Sequence, residues 1–413
     1  MKYRIISIIA LLLAFSPFIH AQEEEDDKLE INGFIRNYLG VLTSPPNEFS
    51  INQNTLNLEF KLQTEKFGLY ANPYYYQYAD QEDVFDIREL YVDFFTEKFD
   101  FRIGKQQIVW GQADGVFITD IVSPLDLTDF LLRDFNEIRI GVNAAKVNYY
   151  PHFDHTFELI WVQAFAPSIV PQAGSIFQPD LEFLAPPTFD YSNQSKDHTF
   201  GNGEFFGKYS MSKSWADIQL IGAYTWDDAP SMHVTPIANP TPGLLIQPEH
   251  HRLSLTGMSF NTQIADFILR GEGAYYFGKR WQTSDPTASD ALIKKDYFNY
   301  VVGLDKTVGD WKFSTQFIQK RIADYQDGIK DDEVDDLATL LVSRSLFRET
   351  VRLEWFSYHG FNNNDALIRL RGFYYPQDAV SIELGANMFT GTAGNFGQYN
   401  ANDMIYARIK YSF

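Results

Sequence analysis

The chain has 413 residues, of which 45% are hydrophobic and 16% aromatic, a composition too apolar and ring-rich for a disordered polypeptide. Its 54 acidic and 34 basic residues give a formal net charge of -20, which excludes the basic surface that nucleic-acid binding requires. There is no cysteine, so disulfides, thiol catalysis, cysteine metal sites and a lipoprotein anchor are ruled out.

In chain order, the first element is a leader. Lys2 and Arg4 precede an apolar run from Ile5 to Ile19, and Ile19-His20-Ala21 offers a cleavage site before Gln22. This is the layout of a secretory signal, and the run is too short to cross a bilayer comfortably as a helix. Residues 1–21 are therefore expected to be a signal peptide and 22–28 an acidic, flexible N-terminus. Residues 29–413 are expected to form one domain.

That domain alternates with period two. Leu56, Leu58, Phe60 and Leu62 interleave with Asn57, Glu59 and Lys61. Val380, Ile382, Leu384 and Ala386 interleave with Ser381, Glu383 and Gly385. Side chains on a strand point alternately to opposite faces, so each such strand has one apolar and one polar face. The pattern predicts strands at 29–41, 52–64, 67–79, 85–97, 99–110, 138–150, 155–166, 200–212, 215–227, 250–262, 265–278, 296–308, 311–322, 336–346, 350–360, 365–375, 379–390 and 403–413. Short turns such as Glu65-Lys66 and Gly309-Asp310 alternate with long loops such as 111–137, 167–199 and 228–249.

The fold expected is all-β: a transmembrane antiparallel barrel of about 18 strands, with about 16 as the alternative. Hydrocarbon satisfies no backbone donor or acceptor, and among strand architectures only a closed barrel pairs them all internally. Apolar faces then meet lipid and polar faces an aqueous lumen. Tyr74, Tyr75, Tyr76 and Tyr78, and again Tyr275, Tyr276 and Phe277, are expected in the aromatic girdles at the bilayer interfaces. Tyr411 and the terminal Phe413 close the last alternating strand and are read as a signal for the barrel insertion machinery.

The alternation assigns Lys61, Arg252, Arg270, Arg352, Arg369, Arg371, Arg408 and Lys410 to the lumen wall. Arg or Lys facing lipid near the midplane would cost roughly 2–4 kcal/mol each. Basic groups outnumber acidic ones on this face, which leans toward anionic or neutral solutes. Lys105 falls on the apolar register, so a bulge or the membrane rim is needed there.

The loop following the fifth strand is too apolar for an ordinary surface loop. Val116, Phe117, Ile118, Ile121, Val122, Leu125, Leu127, Phe130, Leu131, Leu132 and Phe135 all need burial. Ser123 can cap a short helix starting at Pro124, with Asp126 in its first turn. This third extracellular loop is expected to fold inward. Asp114, Asp120, Asp126, Asp129, Asp134 and Glu137 would then face a basic wall containing Arg102 and Arg139 and form a pore constriction. Bracing or plugging of the barrel by the same loop is the alternative.

No metal site or cofactor is expected. The loop carboxylates lack the spacing of a dedicated calcium loop. His152, His155, His198, His233, His250, His251 and His359 sit in loops or at strand ends without a nucleophile motif, and no G-x-S-x-G occurs, so an enzyme is not expected.

The segment 104–141 resembles the signature of a bacterial family of uncharacterised outer-membrane porin-like barrels. The likeness rests on Gly104, Lys105, Gln106, Trp110, Gly111, Ala113, Asp114, Gly115, Asp120, Pro124, Asp126, Leu127, Arg139 and Ile140, and on the closing stretch from Leu384 to Phe413. The resemblance implies a barrel in the outer membrane of a Gram-negative bacterium and leaves the substrate open. Some relatives' association with export systems keeps a transport-assembly role open.

The expected function is passive passage of small polar solutes, anionic ones included, through a lumen narrowed by residues 111–137. The alternative is the barrel of an envelope export or assembly machine, plugged or gated by that loop. Outer-membrane lipid, the insertion machinery and small solutes are the partners implied. A homo-oligomer or an export-complex partner is left open.

Overall fold

The computed structural model describes residues 28–413 apart from 80, 180–182, 184, 239–241 and 289. The leader and nearly all of the acidic N-terminus lie outside the described residues. The strands are β1 (Glu30–Leu42), β2 (Phe49–Gln63), β3 (Phe67–Tyr78), β4 (Val84–Phe95), β5 (Phe99–Gln106), β6 (Val142–His152) and β7 (His155–Val162). They continue as β8 (Pro187–Phe189), β9 (Glu204–Ser212), β10 (Asp217–Trp226), β11 (Ser231–Ile237), β12 (Gly243–Glu249), β13 (Arg252–Ile264) and β14 (Phe267–Gln282). The last seven are β15 (Leu292–Val308), β16 (Trp311–Ile322), β17 (Val334–Leu346), β18 (Val351–Gly360), β19 (Asp365–Gln377), β20 (Val380–Thr390) and β21 (Met404–Ser412).

Eighteen of these strands form one antiparallel sheet. The sheet closes where β1 pairs with β21, from Phe34 opposite Ser412 to Leu42 opposite Met404. Phe413 completes the seam. Its N–H donates to the Gly33 carbonyl at 3.0 Å, and the Gly33 N–H donates back at 2.9 Å. Every predicted strand overlaps one of the eighteen, with ends displaced by a few residues; the barrel has 18 strands, not 16. β8, β11 and β12 form a separate three-stranded sheet within the long loops, where no strand was expected.

The outer face is a continuous apolar surface. Ile31, Leu39, Leu69, Leu90, Ile103, Leu159, Leu220, Met258, Phe317, Leu340, Trp355, Leu384, Ile405 and Ile409 are all exposed and alternate with inward residues. A water-soluble monomer rarely exposes an apolar patch beyond a few hundred Å². A belt that encircles the molecule is stable only against hydrocarbon, and the closed ladder leaves no strand edge to satisfy there. The inner face carries buried polar groups, among them Arg36, Asn57, Asn72, Glu272, Gln316, Arg369, Asn387 and Arg408.

On one side of the lumen this polarity gives way. Val142, Ile160, Val162, Phe206, Ile221, Leu253, Leu255, Ala274 and Tyr276 point inward and pack against Ile108, Trp110, Ala113, Ile118 and Val122 of the β5–β6 loop. On β13 the registers pair Leu253 with inward Thr225 and Arg252 with Trp226, so Arg252 faces outward at the long-loop rim. There it stacks on Trp226 at 4.0 Å and Tyr224 at 4.7 Å and donates to the carbonyls of Gly203 and Gly201. Its assignment to the lumen wall is thus corrected: the inner register here belongs to leucines that cover the loop. The tyrosines are corrected in part. Tyr76 and Tyr276 are buried inside the barrel, bonded to Arg88 and to the Ile118 carbonyl, while Phe277 is exposed on the outer face.

Lys105 keeps its outward register opposite Leu90 and meets Asp86 at 3.2 Å near the long-loop end of β4. The distortion there falls on Gly104, whose φ is 137°.

Candidate functional site

The β5–β6 loop, residues 107–141, is held by the inner wall on several sides. Glu272 of β14, 4% exposed, accepts the N–H groups of Gln112 at 2.9 Å, Ala113 at 2.7 Å and Thr119 at 3.1 Å, together with the Thr119 hydroxyl. Gln316 of β16 accepts the Asp114 N–H and donates to the Asp114 carbonyl. Tyr358 of β18 donates to the Gly115 carbonyl at 2.8 Å. Gly115 has φ 75°, and a Cβ on it would lie 2.4 Å from the Tyr358 hydroxyl, so the close approach requires glycine. Arg369 of β19 donates to the carbonyls of Leu131 and Leu132.

The expected helix at Pro124 does not form. Leu125 bridges Arg139 and Asp126 bridges Ile169, drawing this stretch into extended contacts. The Ser123 hydroxyl accepts the Ile108 N–H instead of capping a helix. The loop has a single helical turn, Phe135–Ile138. Phe130, in the left-handed region at φ 54°, sits among the rings of Phe177, Phe389, Phe396 and Tyr399. Phe177 comes from the β7–β9 loop, and Phe396 and Tyr399 from the β20–β21 loop, so three loops share one apolar cluster.

Of the expected constriction residues, the acids do meet arginines, but mostly not the two named. Arg102 is taken by Asp93 on the wall, at 2.7 and 2.9 Å. Arg139 belongs to the loop itself and pairs there with Asp120, both fully enclosed. Asp126 and Asp129 pair with Arg133 of the same loop. Only Asp134, Glu137 and Asp114 reach the wall. Asp134 meets Arg408 at 2.6 Å and Arg36 at 3.1 Å, Glu137 meets Arg36 at 2.9 Å, and Asp114 meets Arg270. Enclosure raises the Asp134 carboxyl, but Arg408 and Arg36 outweigh it and hold the group below the usual carboxylate range. Sequence reasoning missed Arg36 as a partner; its inward register opposite Thr55 was the available signal.

Beneath the loop, toward the short turns, lies a cavity of about 570 Å³ lined by Arg36, Arg88, Arg352, Arg371, Arg408, Lys410, Glu59, Glu89, Glu383, Phe34, Tyr70 and Phe373 among others. A second cavity of about 290 Å³ runs beside the loop between Phe117, Phe135 and the wall residues Glu354, Arg369 and Arg371. The two share Asp134 and Arg371 in their linings. Arg371 is paired with Glu354. Arg352, Arg88 and Lys410 form no ion pair among the described residues: Arg352 stacks on Phe373 at 4.2 Å, Lys410 lies over Phe34 at 5.2 Å, and Arg88 donates to Tyr76 and to the Asn136 carbonyl. Lys61 shares the inward register of Asn57 and Glu59 near the short-turn end of β2.

A closed barrel with a lipid-facing belt, a charged lumen and an inward-packed loop has the fold of the outer-membrane porins of Gram-negative bacteria. Residues 45–342 match the family described as protein of unknown function (DUF1302), and the chain belongs to that family. No curated protein matches it. Among solved structures it is similar to OccK2 (OpdF) of Pseudomonas aeruginosa in complex with glucuronate, at 9% identity and TM-score 0.57, over 94% of this chain and 96% of that one. It is also similar to OccAB2 of Acinetobacter baumannii, at 10% identity and TM-score 0.56, over 95% and 99%. OccK5 (OpdH) of Pseudomonas aeruginosa aligns at 11% identity and TM-score 0.55, over 95% and 99%. At these identities the likeness speaks for the fold.

Proposed function

We propose that the protein is an outer-membrane channel for passive diffusion of small polar solutes, with a preference for anions, and that the β5–β6 loop sets its narrowest point. The observation that carries the reading is the charge balance of the lower cavity. Six basic groups, Arg36, Arg88, Arg352, Arg371, Arg408 and Lys410, line it against five acidic ones, Glu59, Glu89, Asp134, Glu137 and Glu383. Arg36 and Arg408 consume Asp134, Glu137 and Glu383, and the three cations left without an ion pair among the described residues, Arg88, Arg352 and Lys410, outnumber the two carboxylates left so, Glu59 and Glu89. Cations displayed in an aqueous constriction lower the barrier for anions and raise it for cations. Asp134 and Arg371 line both cavities, and Asp114, Glu354 and Arg369 line the one beside the loop. That one similar structure, OccK2 (OpdF), was solved with glucuronate, a sugar carboxylate, accords with this chemistry.

The test is single-channel recording on the purified barrel in a salt gradient. Stable open steps with a reversal potential on the anion side are expected, and Arg352→Ala with Lys410→Ala should move that potential toward zero or the cation side. A cation-selective wild type would overturn the anion preference. A barrel that never opens would favour the plugged, partner-gated alternative.

A further inference from the structure

We propose that His233, Glu249 and His251, together on the long-loop rim, form a binding site for a borderline divalent cation of the zinc class. His233 lies on β11, Glu249 ends β12 and His251 immediately precedes β13. The ligating atoms of the three residues all lie within 4.8 Å of one another. The two imidazole Nε2 atoms stand 2.9 Å apart, and Glu249 Oε2 is 3.6 Å from His233 Nε2. Ligands about 2.0–2.1 Å from a tetrahedral zinc are separated by roughly 3.3 Å. The two separations from His233 already lie within a few tenths of an ångström of that value, and Glu249 and His251 are within 4.8 Å of each other.

On His233 and Glu249 the other polar atom is already engaged in a way that aims the free lone pair inward. Asp290, in the β14–β15 loop, lies 2.9 Å from His233 Nδ1. A carboxylate on the far nitrogen fixes the tautomer that leaves Nε2 unprotonated, the arrangement that supports ligating histidines. Lys196, in the β7–β9 loop, takes the other oxygen of Glu249 at 3.2 Å. Each of the three ligands is half-buried: reachable from solvent yet held by its neighbours. Two imidazoles and one carboxylate suit a borderline metal and not calcium or magnesium, which favour all-oxygen sites. The fourth position is left to water. The Lys196 ammonium beside Glu249 opposes the cation electrostatically, so the site is of the exchangeable kind.

The consequence is a pin between loops. Without an ion, His233 and His251 share a single ring-to-ring hydrogen bond. With an ion, the β11–β12 hairpin is tied to the root of β13 and, through Asp290 and Lys196, to two further loops.

The experiment titrates zinc into the folded full chain in detergent against a chromophoric chelator. One zinc per chain is expected, lost in His233→Ala and in His251→Ala, and bound about 10–100-fold more weakly in Asp290→Asn. Folding of each variant is checked by its electrophoretic mobility without heating. Zinc held undiminished by either histidine variant, or magnesium competing on equal terms, overturns the proposal. Should an alanine variant fail to fold, cobalt(II) bound to the unmodified chain decides. An intense tetrahedral visible spectrum supports the site, and a pale octahedral one overturns it.

Discussion

Glu272 shows how one residue can set the behaviour of a loop. Its carboxylate is the shared acceptor for three backbone N–H groups and one hydroxyl of residues 112–119. The Ala113 and Thr119 donors are buried and Gln112 is partly so, and removing the acceptor leaves several donors orphaned together. Glu272→Ala should therefore destabilise the folded barrel by on the order of 3 kcal/mol and loosen the loop. Glu272→Gln, which keeps one acceptor oxygen, should lose less. Thermal unfolding in detergent measures the first effect, and open-channel current noise measures the second. An alanine variant as stable and quiet as the parent would show that the loop is held elsewhere. Residue type alone hid this role, because a glutamate on the polar register of a strand reads simply as lumen wall.

At the scale of elements, strands were legible and the loop only partly. Period-two alternation records which side of the sheet each residue occupies, and lipid on one side against water on the other keeps that record clean. Helix and loop structure in 107–141 depends on contacts from distant strands, and local preference was overridden. Ser123 and Pro124 have helix-start chemistry, yet the Leu125–Arg139 bridge and the Ile108 N–H claim that stretch. The acids of the loop were legible as charge-pairing groups, but the identity of their arginines was not, since Arg36 and Asp134 are 98 residues apart in sequence. Arg252 was misplaced for a related reason: where an apolar loop fills the lumen, the inner register turns apolar and alternation stops reporting which side holds water. Deleting 114–135 should enlarge the conductance and also lower the unfolding temperature, because the inward apolar cluster would lose Ile118 and Val122. Conductance and melting of the same preparation check both. An unchanged current would mean that the loop does not limit flow, and unchanged stability would mean that the cluster finds other cover.

For the whole molecule, the decisive feature is that the same strand meets two solvents. On β20, Leu384 is 62% exposed and its neighbours in the outer belt are apolar, while Ser381 lines the lower cavity. In water a surface leucine replaced by arginine changes stability little. In a bilayer the same change drives a guanidinium into hydrocarbon at roughly 2–4 kcal/mol near the midplane, less toward the interfaces. Leu384→Arg should thus lower the unfolding free energy in lipid vesicles by an amount of that order, and Ser381→Arg, facing internal water, by far less. Insertion of both variants from denaturant, followed by their unfolding midpoints, makes the comparison on one strand with one introduced side chain. Equal costs at the two positions would mean that the outer surface does not meet lipid, and the division of the lumen into a charged lower cavity and a loop-filled upper half would then need another origin.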